Sequence, residues 1–273
     1  MFSAAHFRLL MGAIAMFLSG ALGANLWSRG ALRLSSPQEQ SSANAVSSAA
    51  VIAERRGLIE RELAGAPEFA AFVESMSRAF PSDWSRQLDA FAFRAAVSRT
   101  LDPPVVEVAD ILRTLRRNRG VVSGKSGDAA LTRVFEAQAR LTEALANGDK
   151  KICVDFLLGQ SSPGLQMAMA RSRAELAELA NATLAAILDG GASPVARAPP
   201  DDADFDNLEK ELRRRGLGQT EIAALLDGSL PDPPLADSVL CDAGLVYFEA
   251  LKALPPDVRM RIYAFAIQVM GKA

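Results

Sequence analysis

Apolar side chains recur at helical intervals along most of this chain. Two such runs, 68–80 and 83–99, flank a break at Pro81-Ser82, and a third starts where Asp102 can cap a helix and Pro104 fits its first turn. Each later run stops at a Gly, an Asn-Gly pair or a Pro; these runs cover 129–146, 172–189, 205–215, 220–226, 235–254 and 257–270. No segment shows sustained alternation of apolar and polar residues. The pattern predicts an all-α protein, an irregular bundle of nine or ten helices.

One run has no polar face. Residues 9–27 carry no charge, and about 19 residues of helix span roughly 28 Å, close to the thickness of a hydrocarbon core. This predicts a membrane-targeting helix within residues 1–27. Ser19-Gly20-Ala21 and Ala21-Leu22-Gly23 offer small residues to a signal peptidase, whereas Trp27 followed by arginines is typical of a retained anchor. Cleavage and retention both remain open. The positive charges on the two sides of the segment are nearly balanced and leave its orientation open, whereas the very short N-terminal tail favours export.

Two breaks divide the remaining chain. Residues 28–50 are rich in Ser and Ala, which predicts a flexible tether behind the membrane segment. Residues 190–204 hold paired Gly and three Pro, which predicts a linker, and the acidic run 201–206 is expected to cap the helix after it. The predicted organisation is therefore a larger helical domain at 51–189 and a smaller helical lobe at 205–273.

Composition excludes several kinds of chemistry. Arginine far outnumbers lysine, which is typical of a GC-rich bacterial genome, and the net charge is only -2. Without a basic excess, no nucleic-acid partner is expected. The single histidine, His6, lies in the targeting segment, so the exported part lacks Ser-His-Asp and Cys-His arrangements and histidine metal ligands. No metal and no cofactor are predicted.

The two cysteines allow two interpretations. In an oxidising compartment, Cys153 and Cys241 could pair and close a loop of 88 residues, which would stabilise the fold by about 4–5 kcal/mol. Each also lies in an apolar run, where a free cysteine behaves as a small buried hydrophobe. Both interpretations remain open, although two cysteines are too few for a metal cluster.

Carboxylates are the remaining catalytic candidates. Glu74, Glu107 and Glu249 lie within or beside apolar runs, where burial could raise a carboxyl pKa far enough for acid catalysis of glycan hydrolysis. No flanking motif distinguishes them. A polar helix face explains each equally well.

Positive charge concentrates near a glycine-containing segment, at Arg113, Arg116, Arg117, Arg119 and Lys125. These side chains could contact anionic lipid headgroups or another polyanion. Arginines in the last turn of a helix would instead be stabilised by its dipole. Gly120 is one residue too late for a phosphate-binding P-loop, so a flexible connector is expected at 119–126.

These observations favour one function and leave a second open. The first is an exported, non-catalytic helical interaction or scaffold protein of the bacterial cell envelope. It would be periplasmic, secreted, or anchored by its N-terminal segment in the inner membrane facing the periplasm, and it would bind a protein partner that the sequence does not identify. The second is a carboxylate-dependent envelope enzyme such as a glycan hydrolase.

Overall fold

The computed structural model describes residues 38–160, 162–227 and 231–270. In these ranges the chain forms twelve α-helices, one 3-10 turn at Pro67–Phe69 and no strand, which confirms the all-α prediction. The helices are α1 (Gln38–Ala64), α2 (Ala70–Ala79), α3 (Pro81–Ser98), α4 (Pro104–Ser123), α5 (Asp128–Gly148), α6 (Lys150–Leu157), α7 (Pro163–Arg171), α8 (Arg173–Ala192), α9 (Asp202–Arg214), α10 (Gln219–Asp227), α11 (Asp237–Ala253) and α12 (Pro256–Met270). The predicted targeting segment 1–27 lies outside the described residues. None of the helices searched is both long and apolar enough to span a membrane.

The chain divides into two compact units, with the division between Ile111 and Leu112. We call residues 38–111 the N-terminal unit and residues 112–270 the C-terminal unit. The segment 190–204, predicted as a linker, lies within the C-terminal unit. Its Gly and Pro residues do end helix α8, but the extended chain then packs: Val195 N donates to Lys125 O at 2.7 Å, and Arg197 pairs with Asp128 at 2.6 Å.

Helix α1 packs along α3 in the N-terminal unit, and α2 contacts both. Their shared core includes Ile59, Phe72 and Leu88, all fully buried. Residues 38–50, part of the predicted tether at 28–50, form the start of α1. From Gln38 to Arg56 the sequence contains no Gly or Pro and much Ala, the strongest helix former, so its Ser/Ala composition suits a helix as well as a linker.

Helix α5 lies at the centre of the C-terminal unit and contacts α6, α7, α8, α11 and α12. Its buried face carries Leu131, Phe135 and Leu141, as the helical spacing predicts. A glycine lets α8 approach the end of α4: a Cβ added at Gly190 would lie 2.1 Å from the Val122 carbonyl oxygen. Backbone contact at this point therefore requires a residue without a side chain.

Two short helices, α6 and α7, do not follow from the sequence pattern. Each of these helices begins at a side-chain cap. The Asp149 carboxylate accepts from Lys151 N at 2.8 Å, and the Ser162 hydroxyl accepts from Leu165 N at 3.1 Å. Helix α6 carries Cys153, which lies at disulfide distance from Cys241 on α11 with a Cα–Cα separation of 5.7 Å. The proximity that the sequence allowed is therefore present in the fold.

The acidic run 201–206 caps a helix, as predicted. Asp201 and Asp204 form a capping box at the start of α9. Asp204 is buried and also accepts two hydrogen bonds from the Arg261 guanidinium, at 2.6 and 2.8 Å. The Arg261 contact holds the pKa of Asp204 below its usual value and joins α9 to α12.

Candidate functional site

A cavity of about 20 Å³ lies among α4, α5, α8 and α12 of the C-terminal unit. This volume accommodates roughly one water-sized sphere. On each helix that contributes more than one residue, the lining residues are three or four positions apart and so share a face. They are Arg116, Gly120 and Ser123 on α4, Val134 and Gln138 on α5, Thr183 on α8, and Tyr263 and Ile267 on α12.

Two hydroxyl groups in the lining have no hydrogen-bond partner among the described residues. Ser123 is 2 % exposed and Thr183 is 3 % exposed, and neither Ser123 Oγ nor Thr183 Oγ1 contacts a donor or acceptor. A buried polar group left unpaired typically costs about 1–3 kcal/mol, so native proteins usually supply a partner. Two of the residues that line the cavity therefore carry unpaired hydroxyl groups.

The cavity also carries a positive charge. Burial lowers the pKa of the Arg116 guanidinium, yet this group stays charged at physiological pH. No carboxylate of the described ranges forms an ion pair with it. Tyr263 donates from its hydroxyl to Gln138 Oε1 at 2.9 Å, and burial raises the pKa of Tyr263. The lining of the cavity therefore combines one cation with neutral hydrogen-bonding groups.

A second polar cluster lies in the N-terminal unit. Glu107, in the first turn of α4, is 1 % exposed, and its Oε2 atom has no partner among the described residues. Burial, followed by repulsion from Asp102, raises the pKa of Glu107 to about 8. Arg94 pairs with Asp102 at 3.5 Å and Asp110 at 3.0 Å. Glu107 is thus largely protonated at neutral pH.

The other two predicted carboxylates lie on exposed helix faces. Glu74 forms an i,i+4 salt bridge with Arg78, and Glu249 approaches Lys252 at 3.8 Å. Neither is enclosed by apolar side chains. A solvent-exposed helix face explains the position of both carboxylates.

Of the five predicted anion-contacting residues, Arg116 lines the cavity. Arg113, Arg117 and Lys125 are exposed, and Arg119 is half-buried. The predicted flexible connector at 119–126 is wrong, because α4 continues to Ser123 and the residues after it pack against the bundle. The arginines are therefore in the middle of a helix, where helical rotation distributes them around its circumference instead of gathering them at a C-terminus.

The sequence pattern does not identify the other polar residues that line the cavity with Arg116. Gln138 and Thr183 can be recognised in the sequence, because each is a polar residue on the apolar stripe of its helix. Ser123 and Tyr263 cannot be recognised in this way, because their position at the cavity depends on where α4 and α12 lie against α5.

An apolar stripe is exposed on α3 of the N-terminal unit. Ala90, Phe93 and Val97 occupy positions i, i+3 and i+7, and the two larger side chains are 58 % and 70 % exposed. Met167 on α7 is similarly exposed, at 63 %. Single exposed hydrophobic residues are ordinary, whereas an aligned set on one helix face is typical of an interaction surface.

Comparisons with protein-family models, curated proteins and solved structures find no match to this chain.

Proposed function

We propose that this chain is an exported, non-catalytic helical interaction protein of the bacterial cell envelope. The observation that carries the proposal is the α3 stripe of Ala90, Phe93 and Val97, where two large side chains are mostly exposed. Apolar residues at i, i+3 and i+7 are the anchors by which an amphipathic helix fits a partner's apolar surface. We assign this stripe to a partner protein that presents such a surface.

The state of the candidate acid supports a non-catalytic role. Glu107 has the raised pKa that acid catalysis needs, but it is 1 % exposed, so a glycan oxygen has no path to its carboxyl group. The cavity of the C-terminal unit is too small for a sugar ring, with about 20 Å³ of space.

Two features support export. The uncharged run at 9–27 has the length and composition of a membrane-targeting segment, and Cys153 lies at disulfide distance from Cys241. The test is a periplasm-dependent reporter fused to the C-terminus, combined with thiol titration of the denatured protein. We expect an active reporter and no free thiol without reductant. An inactive reporter together with two free thiols would overturn the export proposal.

The partner is tested by photo-crosslinking in cells. A photoreactive phenylalanine analogue replaces Phe93 in the full-length protein, and the matched control carries it at the equally exposed Met167. We expect a protein adduct at position 93 that V97D abolishes, and no corresponding adduct at position 167. Equal crosslinking at both positions, or none at 93, contradicts the proposal.

A carboxylate-dependent glycan hydrolase is the second candidate, favoured by the raised pKa of Glu107. Purified protein is incubated with peptidoglycan, and soluble fragments are measured for wild type and E107Q. Hydrolysis by the wild type that E107Q loses, with an unchanged circular dichroism spectrum, would replace the first proposal. We expect no hydrolysis by either protein.

A further inference from the structure

We propose that the cavity among α4, α5, α8 and α12 binds one monovalent anion of halide size, held by Arg116, Ser123 and Thr183. The inference is independent of the partner-binding function proposed above. It concerns the C-terminal unit alone.

Charge balance is the first argument. Arg116 lines the cavity, and no carboxylate of the described ranges neutralises its guanidinium group. A buried or half-buried cation without a counter-charge is unfavourable, because the surroundings solvate it poorly. One monovalent anion beside it would balance the charge.

The hydrogen-bonding groups supply the second argument. Ser123 and Thr183 hold hydroxyl protons that no described residue accepts, and the guanidinium contributes only donors. The Gln138 carbonyl oxygen accepts from Tyr263 and keeps a second lone pair, and the Gln138 amide group can donate. An anion accepts from the guanidinium and from both hydroxyls and also balances the Arg116 charge, whereas a water molecule can pair with the same groups but leaves that charge unbalanced.

Size and polarity select the class of anion. About 20 Å³ holds one sphere near the size of water, which is less space than phosphate, sulfate or an organic carboxylate needs. Val134 and Ile267 form apolar parts of the wall. Such a wall suits a weakly hydrated halide better than a small, strongly hydrated anion, because the halide loses less hydration free energy on entry.

The anion would join helices that are far apart in sequence. Arg116 and Ser123 lie seven residues apart on one face of α4, and Thr183 comes from α8. A ligand that binds only the folded state stabilises it in proportion to ln(1 + [L]/Kd), so halide should raise the melting temperature. A simple screening effect of salt would depend on ionic strength and not on which anion is present.

The experiment compares full-length protein in sodium chloride and in sodium gluconate at equal ionic strength. At about 100 mM salt we expect chloride to raise the melting temperature by roughly 3–6 °C over gluconate. R116Q and the double variant S123A/T183V should each lose this difference. The matched control R117Q changes an exposed arginine one residue away on α4 and should keep it.

Each result decides the proposal. No chloride-specific shift in the wild type overturns it, and so does a shift of equal size in R116Q. If R116Q fails to fold, S123A/T183V provides the same test, because removing unpaired hydroxyls is expected to leave the fold intact in gluconate. An undiminished chloride shift in S123A/T183V also counts against the site.

A crystal grown in bromide locates the ion directly. We expect an anomalous peak in the cavity within about 3.5 Å of Arg116, Ser123 and Thr183. A cavity that holds density without anomalous signal contains water and overturns the assignment.

Discussion

The two units of this protein differ in how they are held together. In the C-terminal unit, contacts between residues distant in sequence are specific: Cys153 lies at disulfide distance from Cys241, Asp204 is paired with Arg261, and Gly190 allows backbone contact. In the N-terminal unit, helices α1, α2 and α3 pack mainly through apolar side chains, and one cation, Arg56 on α1, pairs with Asp89 on α3.

The two units also differ in where they place their polar and apolar groups. The C-terminal unit encloses a cation and unpaired donors around a cavity, whereas the N-terminal unit buries the carboxyl group of Glu107 and exposes the apolar stripe on α3. We propose that the C-terminal unit fixes an internal arrangement and that the N-terminal unit presents a surface. Three changes test that contrast, each expected to act on one unit.

Reduction should have the largest effect, and only in the C-terminal unit. If Cys153 and Cys241 are bonded, the link closes 88 residues, and breaking it should lower the free energy of unfolding by about 4–5 kcal/mol. Hydrogen exchange with and without reductant measures the loss segment by segment. The C153S/C241S protein should show the same loss and no response to reductant. Faster exchange in residues 49–111 as well would contradict the separation of the units.

A methyl group at Gly190 should have the next largest effect. The new Cβ of G190A would lie 2.1 Å from the Val122 carbonyl oxygen, so α8 must shift, at a cost of about 2–3 kcal/mol in denaturant unfolding. G191A is the matched control, because its Cβ would meet nothing closer than 3.8 Å. Alanine there should be neutral or stabilising by up to about 1 kcal/mol. Equal losses in both variants would show that the close contact is unimportant.

The smallest effect is expected from a change of pH, which acts on the N-terminal unit through Glu107. The pKa of Glu107 is about 8 in the folded state and near 4.5 when exposed, so folding favours its protonated form. The contribution of Glu107 to the free energy of unfolding is fully present below pH 4.5 and is lost as the pH rises to 8. E107Q should remove the slope and stabilise the unit at pH 8 by on the order of 2 kcal/mol.

Trp84 fluorescence in a W27F background follows unfolding of this unit, since the chain has only these two tryptophans. E74Q, at an exposed carboxylate on α2, is the matched control. A pH slope that persists in E107Q would assign it to another group.

Most helices could be predicted because the forces that define them are local. The runs at 83–99, 129–146, 172–189 and 257–270 lie within one to three residues of the observed ends, and caps and breakers fix those ends. Helices α6 and α7 were missed because they are too short for a clear apolar period. The first part of α1 was missed because a Ser/Ala-rich segment has no distinctive pattern, although its residues favour a helix.

The candidate site was only partly predictable. Five cations were recognised as a cluster, yet their sequence spacing does not reveal that Arg116 lines a cavity while Arg117 is exposed. Similarly, Glu74, Glu107 and Glu249 have comparable apolar neighbours in sequence, and only Glu107 is enclosed. Burial depends on what the rest of the chain places above a side chain.

By itself, the sequence determined the all-α class, the bounds of most helices and the two cysteines available for pairing. Helical periodicity and capping act over a few residues, so they can be recognised along the chain. The tertiary structure alone decided that the units divide at Ile111, that Gly190 meets Val122, and that unpaired hydroxyls from α4 and α8 share a cavity with Arg116. These features join residues tens of positions apart, and close packing of helices sets them.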